Sequence, residues 1–337
     1  MRNSQISYTR QNKALFWIIL AAITILITLL SLFAGSVRLS PEEVLAVICG
    51  RDKASTAAKI ILYTRLPRTF ASLLSGAAFS VSGVVIQTVL NNPLASPGII
   101  GVNSSAGFAV ALGCAIFPAA QKYSPFIAFA GALFGVLLVL TLAEKTGASR
   151  MTVILAGIAI SNLFSAGIDA IVTLIPDALM GVSDFRIGGF TSVTMEQLKP
   201  AAVLILAGLL FVFSMSTQLD ILSLGTDTAY SLGLSVKNVR FLLLVSAAIL
   251  AGAAVSFSGL LSFVGLIVPH TMRRIKGNDG LSLLVSCALG GAFFVTLCDL
   301  LSRILFAPFE LPVGIVLSFS GVPFFLWILF KKRGGHA

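Results

Sequence analysis

The chain has 337 residues, 57% of them apolar and 11% charged, with a mean hydropathy of +1.01. Soluble domains carry about a quarter charged residues, so this composition excludes an ordinary soluble enzyme, a disordered chain and a secreted disulfide scaffold, and leaves a polytopic membrane protein. Its 23 Lys plus Arg against 13 Asp plus Glu give a net charge of +10, which in such a chain is read by position along the topology rather than as a nucleic-acid footprint.

The tail 1–13 carries Arg2, Arg10 and Lys13 and no acid. It runs directly into Ala14–Ala34, which is too long for a cleavable signal core and lacks a small-residue cleavage site, so it reads as a retained first span. Gly35–Arg68 is too polar for a span and too short for a domain, and it holds six basic residues: Arg38, Arg51, Lys53, Lys59, Arg65 and Arg68. Nine further apolar runs follow: Thr69–Leu90, Gly98–Phe117, Ser124–Ala143, Thr152–Ile175, Pro200–Met215, Phe241–Phe257, Leu260–Met272, Leu281–Leu301 and Pro312–Phe330. The eighth span is short for a regular crossing helix. One ten-helix domain, 14–330, and a basic tail, 331–337, complete the chain.

Several segments carry more than apolarity. Asn91–Gly98 is uncharged and has two prolines, the character of chain buried in protein or lining a cavity. Gly131 and Gly135 stand at the spacing that lets helices approach closely. In the fifth span Asp169 is an acid well inside a membrane segment, with Asn162 two turns earlier on a similar face; such a pair either lines a pathway or is satisfied by internal hydrogen bonds. Leu219–Val236 contains no Lys or Arg. There Leu222, Ala229, Leu232 and Gly233 are expected on one face of two short helices broken near Gly225, a surface for a cytoplasmic partner rather than a basic helix lying on headgroups. His270 is read first as a polar residue at a span end, and as a proton relay or ligand second. Cys49, Cys114, Cys287 and Cys298 show no metal or redox spacing and read as small buried hydrophobes.

With ten spans the termini share one side. That side carries 13 Lys/Arg against 4 acids, and the other carries 10 against 8, so the nets are +9 and +2 with Asp169 inside a span. Basic residues accumulate in the cytoplasm, which places both termini there. The six basic residues of the first loop then break the rule and require a reason. No Gly-Lys dipeptide exists, so there is no P-loop, and neither a zinc-protease motif nor a calcium loop is present. ATP hydrolysis, a resident metal and a cofactor are therefore not expected of this chain.

The chain resembles the FecCD-type permeases of ATP-binding-cassette importers. The residues that carry the likeness are Arg65-Leu-Pro-Arg68, Gly76-Ala-Ala with Ser82-Gly83, Asn92-Pro-Leu-Ala-Ser-Pro-Gly98 with Gly101-Val, Leu224-Gly225 and Ser231-Leu-Gly-Leu-Ser-Val236. They continue as Phe263-Val-Gly-Leu-Ile-Val-Pro-His270, Asp299-Leu-Leu-Ser-Arg303, and Glu310-Leu-Pro-Val-Gly314 leading to Gly321-Val-Pro-Phe324. The resemblance implies an all-α type II importer permease of ten helices in the bacterial inner membrane. It also implies a second permease subunit, identical or sister, two cytoplasmic ATP-binding subunits, an extracytoplasmic binding protein and a metal-chelate substrate such as an iron–siderophore, haem or cobalamin. By the same likeness Arg65, Arg68 and Arg303 dock the binding protein. For Arg303 a second reading stands beside this, since Asp299 one turn earlier holds it at helical spacing. The resemblance further assigns coupling to the ATPase to Leu222, Leu224, Gly225, Ala229, Leu232 and Gly233, and lining of the pathway to Ser161, Asn162, Ser165 and Asp169. Asp169 is outside the family pattern; it contacts cargo or is satisfied within the subunit. An ion-coupled secondary transporter would show several intramembrane acids, and an intramembrane enzyme would show a nucleophile–base pair or metal ligands; neither pattern is present.

Overall fold

The computed structural model describes residues 2–52, 54–117, 122–145 and 150–333, so Met1, Lys53 and the last four residues of the basic tail lie outside the described residues. The α-helices in chain order are α1 (Arg2–Phe33), α2 (Pro41–Ile48), α3 (Thr56–Ile60), α4 (Leu66–Val89), α5 (Val102–Ile116), α6 (Ser124–Lys145), α7 (Arg150–Leu174), α8 (Leu179–Ile187) and α9 (Met195–Ser214). They continue as α10 (Ser216–Ser223), α11 (Thr226–Ser231), α12 (Val236–Ser258), α13 (Val264–Lys276), α14 (Gly280–Ile304) and α15 (Val313–Arg333). Each of the ten expected spans holds one of them: α1, α4, α5, α6, α7, α9, α12, α13, α14 and α15. Among the described residues, seven helices are long and apolar enough to cross a membrane, whereas α5 and the Val313–Phe324 part of α15 are shorter apolar helices.

The second span begins earlier than expected. α3 joins α4 through a single π turn at Ile61–Arg65, where Leu66 N–H bonds Ile61 O five residues back. Pro67 has no N–H and its ring crowds the carbonyl four residues before it, and a π turn relieves that crowding while keeping the helix continuous. As a result Arg65 and Arg68 sit within one continuous helix, Thr56–Val89, rather than in a loop.

The core is built on α4, α12 and α14, whose spanning windows are 78%, 78% and 61% buried; α1 and α7 are only 22% and 28% buried. α4 and α14 touch backbone to backbone. A Cβ placed on Gly76 would overlap the Gly291 carbonyl, and one on Gly291 would overlap the Gly76 carbonyl. Small residues create this approach, and polar rungs beside it bond across it, such as Ser72 Oγ to Thr296 Oγ1 at 2.9 Å. Gly76→Val is therefore expected to cost ~3 kcal/mol or more through overpacking against an immovable backbone, read as a fall in the thermal unfolding midpoint of the purified protein. Gly131 and Gly135 do the same for α5 and α6, where Ser105 and Ala109 occupy the space a Cβ would need.

Two stretches of non-helical chain lie inside the bundle. Between α4 and α5 the segment 90–101 is folded in turns with Ala95 and Ile100 buried, as expected of that uncharged, proline-containing stretch. Turns there take up the first residues of the expected third span, Gly98–Phe117, and α5 is correspondingly short. Between α12 and α13 the chain leaves the helix at Gly259 and re-enters after Phe263. Backbone groups at this break are satisfied internally: Leu260 N donates to Phe185 O at 2.9 Å, and Ser258 O accepts from Gly189 N at 2.8 Å. Irregular backbone survives at membrane depth only when protein supplies such partners.

Candidate transport and docking sites

At one end of the bundle, Arg65 and Arg303 converge on the C-terminus of α1, with Arg68 in the same cluster. The last carbonyls of a helix have no intrahelical donors, and here side chains provide them. Arg65 donates to Leu32 O at 2.7 Å, Phe33 O at 2.8 Å and Val37 O at 2.5 Å. Arg303 donates to Ser31 O at 3.1 Å and Ala34 O at 3.2 Å. Arg68 bridges two acids, Asp299 at 2.8 Å and Glu310 at 2.5 Å, while Asp299 also faces Arg303 at 3.2 Å. Arg65, Arg68 and Arg303 are 3%, 2% and 2% exposed, and Asp299 is fully buried. Arg65, Arg68 and Arg303, expected to dock a binding protein, meet these intrasubunit partners in the single subunit. The i,i+4 spacing of Asp299 and Arg303 signalled part of this arrangement. Glu310, 242 residues from Arg68 in sequence, had no local signal.

Glu310 stands outside the spans. Burial pushes its pKa up, but the hydrogen bond from Ser36 and the Arg68 charge outweigh burial, so the net displacement is below the ordinary carboxylate range. A depressed acid stabilises the fold above its unfolded pKa and loses that contribution as pH falls through its folded value. The 305–312 loop is thus expected to stay anchored at neutral pH and to loosen only below the ordinary glutamate value of 4.5, measured as faster proteolysis of that loop in the wild type at low pH but at every pH in Glu310→Gln.

At the opposite end, α10 and α11 are the two short helices expected, and they break at Gly225, whose φ of 108° suits glycine. Their apolar residues do not share one face, however. Leu222 and Ala229 are buried inward, whereas Leu224 and Leu232 project outward at 62% and 59% exposure. Gly225 and Gly233 both have positive φ and open space beside them. α10 is pinned to the bundle by Leu219 and by Asp220, which accepts the Gly280 N–H at the start of α14; burial, opposed by that bond and aided by the Asp279 charge, pushes the Asp220 carboxyl up. A nearby cavity of about 260 Å³ is polar, and in it Arg273 reaches Gln87 and, at 3.3 Å, Thr88.

The third feature is a polar strip on α7. Ser161 is half-buried and donates to Gly98 O at 3.4 Å. Asn162, Ser165 and Asp169 are exposed, and Asp169 meets Arg186 of α8 at 3.3 Å with both side chains largely open. Arg186 also borders a cavity of about 560 Å³ with Ile187, Gly314, Ile315, Ser318 and Phe319. From its sequence position, Asp169 either contacts cargo or is satisfied within the subunit. The structure supplies an intrasubunit partner that still leaves the carboxylate accessible. His270 lies within α13, edge-on to Phe324 with ring centroids 6.2 Å apart. Cys287 and Cys298 are buried as small hydrophobes, but Cys49 is exposed. Among the described residues, no group of three His, Cys, Asp or Glu is placed to hold a metal.

An all-helical membrane bundle with a polar strip on a poorly buried helix, and with a pair of short outward-facing helices at one end, has the build of a transport permease. The chain belongs to the FecCD transport family, whose model matches residues 23–331. It is 34% identical to the Fe(3+)-citrate import system permease protein YfmE of Bacillus subtilis over 96% of this chain and 98% of that one. It is 36% identical to the iron-uptake system permease protein FeuB of the same organism, over 91% and 92%, and 36% identical to the hemin transport system permease protein HmuU of Yersinia pestis, over 81% and 84%. A solved structure described as an inward-facing conformation of a metal-chelate type ABC transporter superposes with a TM-score of 0.82 at 28% identity, covering 94% of this chain and 99% of that chain.

Proposed function

We propose that this permease is the membrane subunit of a binding-protein-dependent ABC importer that carries a metal chelate, specifically an iron–siderophore complex, across the bacterial inner membrane with both termini in the cytoplasm. The observation that carries the transport role is the α7 strip. Asn162 and Ser165 are exposed near the middle of a spanning helix, with Asp169 exposed one turn further toward its C-terminal end, and polar groups within a span belong against a water-filled cavity or a partner rather than lipid. A second permease subunit, identical or sister, closes the pathway along α7 and α15. Two ATP-binding subunits dock on α10 and α11 through Leu224 and Leu232, with Leu222 and Ala229 holding those helices and Gly225 and Gly233 shaping them. Nucleotide-driven closure then moves the two permeases between access states.

At the opposite end an extracytoplasmic binding protein docks on the surface built over the buried arginines. Arg65, Arg68 and Arg303 act by positioning that surface. The exposed cations Arg38, Arg51 and Lys59 supply the steering charge for an acidic partner. This accounts for the basic first loop that breaks the orientation rule.

Iron–citrate and iron-uptake relatives favour iron as cargo, and the haem relative supports haem as the second choice, ahead of cobalamin. The discriminating experiment is co-purification of the complex with its binding protein, followed by mass spectrometry of the bound ligand. A ferric siderophore is the expected result; haem or cobalamin would replace the cargo assignment, and failure of the permease to capture any binding protein would remove the importer reading.

A further inference from the structure

We infer that Gln87 is a positioning residue for transport: its amide clasps α13 on both sides of Pro269, so that α13 answers movement of α10 as one rigid piece. Pro269 lies inside α13 and has no N–H, so the Gly265 carbonyl one turn before it has lost its intrahelical donor. A buried carbonyl without a donor is costly, and a helix bends most easily at such a proline. Gln87 of α4 supplies the donor, from Nε2 to Gly265 O at 2.9 Å. Its Oε1 accepts from Arg273, one turn after the proline. These partners fix the orientation of the amide, since a carbonyl only accepts and a guanidinium only donates.

The surroundings are shaped for this contact. Gln87 is 3% exposed. One turn earlier on α4, Gly83 leaves the room that α13 needs, because a Cβ there would overlap the Gly265 carbonyl. Arg273 is held a second time, by Thr88 Oγ1 at 3.3 Å, and it faces the polar cavity that α10 lines with Asp220 and Ser223. At its other end α13 starts from Phe263, and a Cβ on Gly321 of α15 would overlap the Phe263 ring. α13 thus runs from beside the helix pair proposed for ATPase docking to the pathway helix α15, with a proline in its middle and one glutamine closing that weak point. Without the clasp, displacement of α10 is absorbed as bending at Pro269 instead of reaching α15.

This inference rests on the ATP-powered importer reading. Its test uses the full-length permease reconstituted with its ATP-binding subunits and binding protein, with radiolabelled ferric citrate as the probe, scored as iron imported per ATP hydrolysed. Gln87→Leu is expected to lower that ratio at least fivefold in a complex that still hydrolyses ATP, whereas a purely structural role would lower yield and not the ratio. Pro269→Ala restores an N–H to α13, so Gln87→Leu/Pro269→Ala is expected to return the ratio to within twofold of wild type. Hydrogen exchange reads the clasp without cargo: amides 270–276 should exchange at least tenfold faster in Gln87→Leu and at the wild-type rate in the double variant. A wild-type ratio in Gln87→Leu, or a double variant no better than the single in either measurement, would overturn the inference. If Gln87→Leu yields no folded complex, the double variant decides: import at the wild-type ratio supports the clasp, and an unfolded or uncoupled double variant overturns it. Clasp-dependent exchange without any ATP-dependent import by wild type would instead remove the importer reading, and the transport role of Gln87 with it.

Discussion

Arg68→Ala is expected to destabilise the folded permease by about 3 to 5 kcal/mol, the largest single-residue loss outside the glycine contacts, because it takes one of two guanidiniums from a fully buried Asp299 and the salt-bridge partner from a half-buried Glu310. Among the described residues, Arg68 alone bridges Asp299 and Glu310, which come from α14 and from the loop before α15. Its removal leaves Asp299, fully buried, with Arg303 alone and one carboxylate oxygen that already lacks a hydrogen-bond partner. Arg68→Lys should recover little, since an ammonium cannot present the planar fork that reaches Asp299, Glu310 and Ser302 together. Arg68→Met combined with Asp299→Leu should be milder than Arg68→Ala, because a well-packed apolar pair avoids the stranded charge. Denaturant titration of the detergent-solubilised protein measures all three. A double variant less stable than the single would show that the network contributes more than mutual neutralisation.

Leu224→Glu together with Leu232→Glu is expected to abolish association with the ATP-binding subunits while leaving the unfolding midpoint within experimental error of wild type. Both side chains are more than half exposed in the chain, so their replacement removes little intramolecular packing. Burying one new carboxylate apiece in place of an apolar contact would weaken the proposed docking by at least a hundredfold, ~2.7 kcal/mol or more. Leu222→Glu gives the contrasting result: with Leu222 buried, it should lower the unfolding midpoint itself. Co-purification of the ATPase subunits with the Leu224/Leu232 variant at wild-type yield would reduce α10 and α11 to a connector.

Much of the architecture was legible in hydropathy alone, since a spanning helix announces itself by length and apolarity. All ten segments hold helices, and the broken pair α10 and α11 fell where the glycine at 225 predicts. Three features were not legible, each for a physical reason. The π turn before Pro67 moved Arg65 and Arg68 from a loop into a helix, and with that from surface to interior; local backbone accommodation of this kind leaves no periodic trace. The division of Leu222 and Ala229 from Leu224 and Leu232 depends on how two six- to eight-residue helices rest on the bundle, which helical periodicity within either one does not determine. The Arg68–Glu310 and Asp169–Arg186 pairs join elements that are far apart in the chain or belong to different helices, so only the tertiary fold brings them together. The family motifs nevertheless marked Arg68, Asp299, Arg303 and Glu310, which the fold then gathers into one buried cluster.

The central claim, that transport through this chain is powered by ATPase subunits and supplied by a binding protein, is tested most directly in proteoliposomes. Labelled ferric siderophore should accumulate only when the permease is reconstituted with its ATP-binding subunits, ATP is present on their side and the binding protein is present on the other. Accumulation by the permease alone, driven by an ion gradient and indifferent to ATP, would contradict the account.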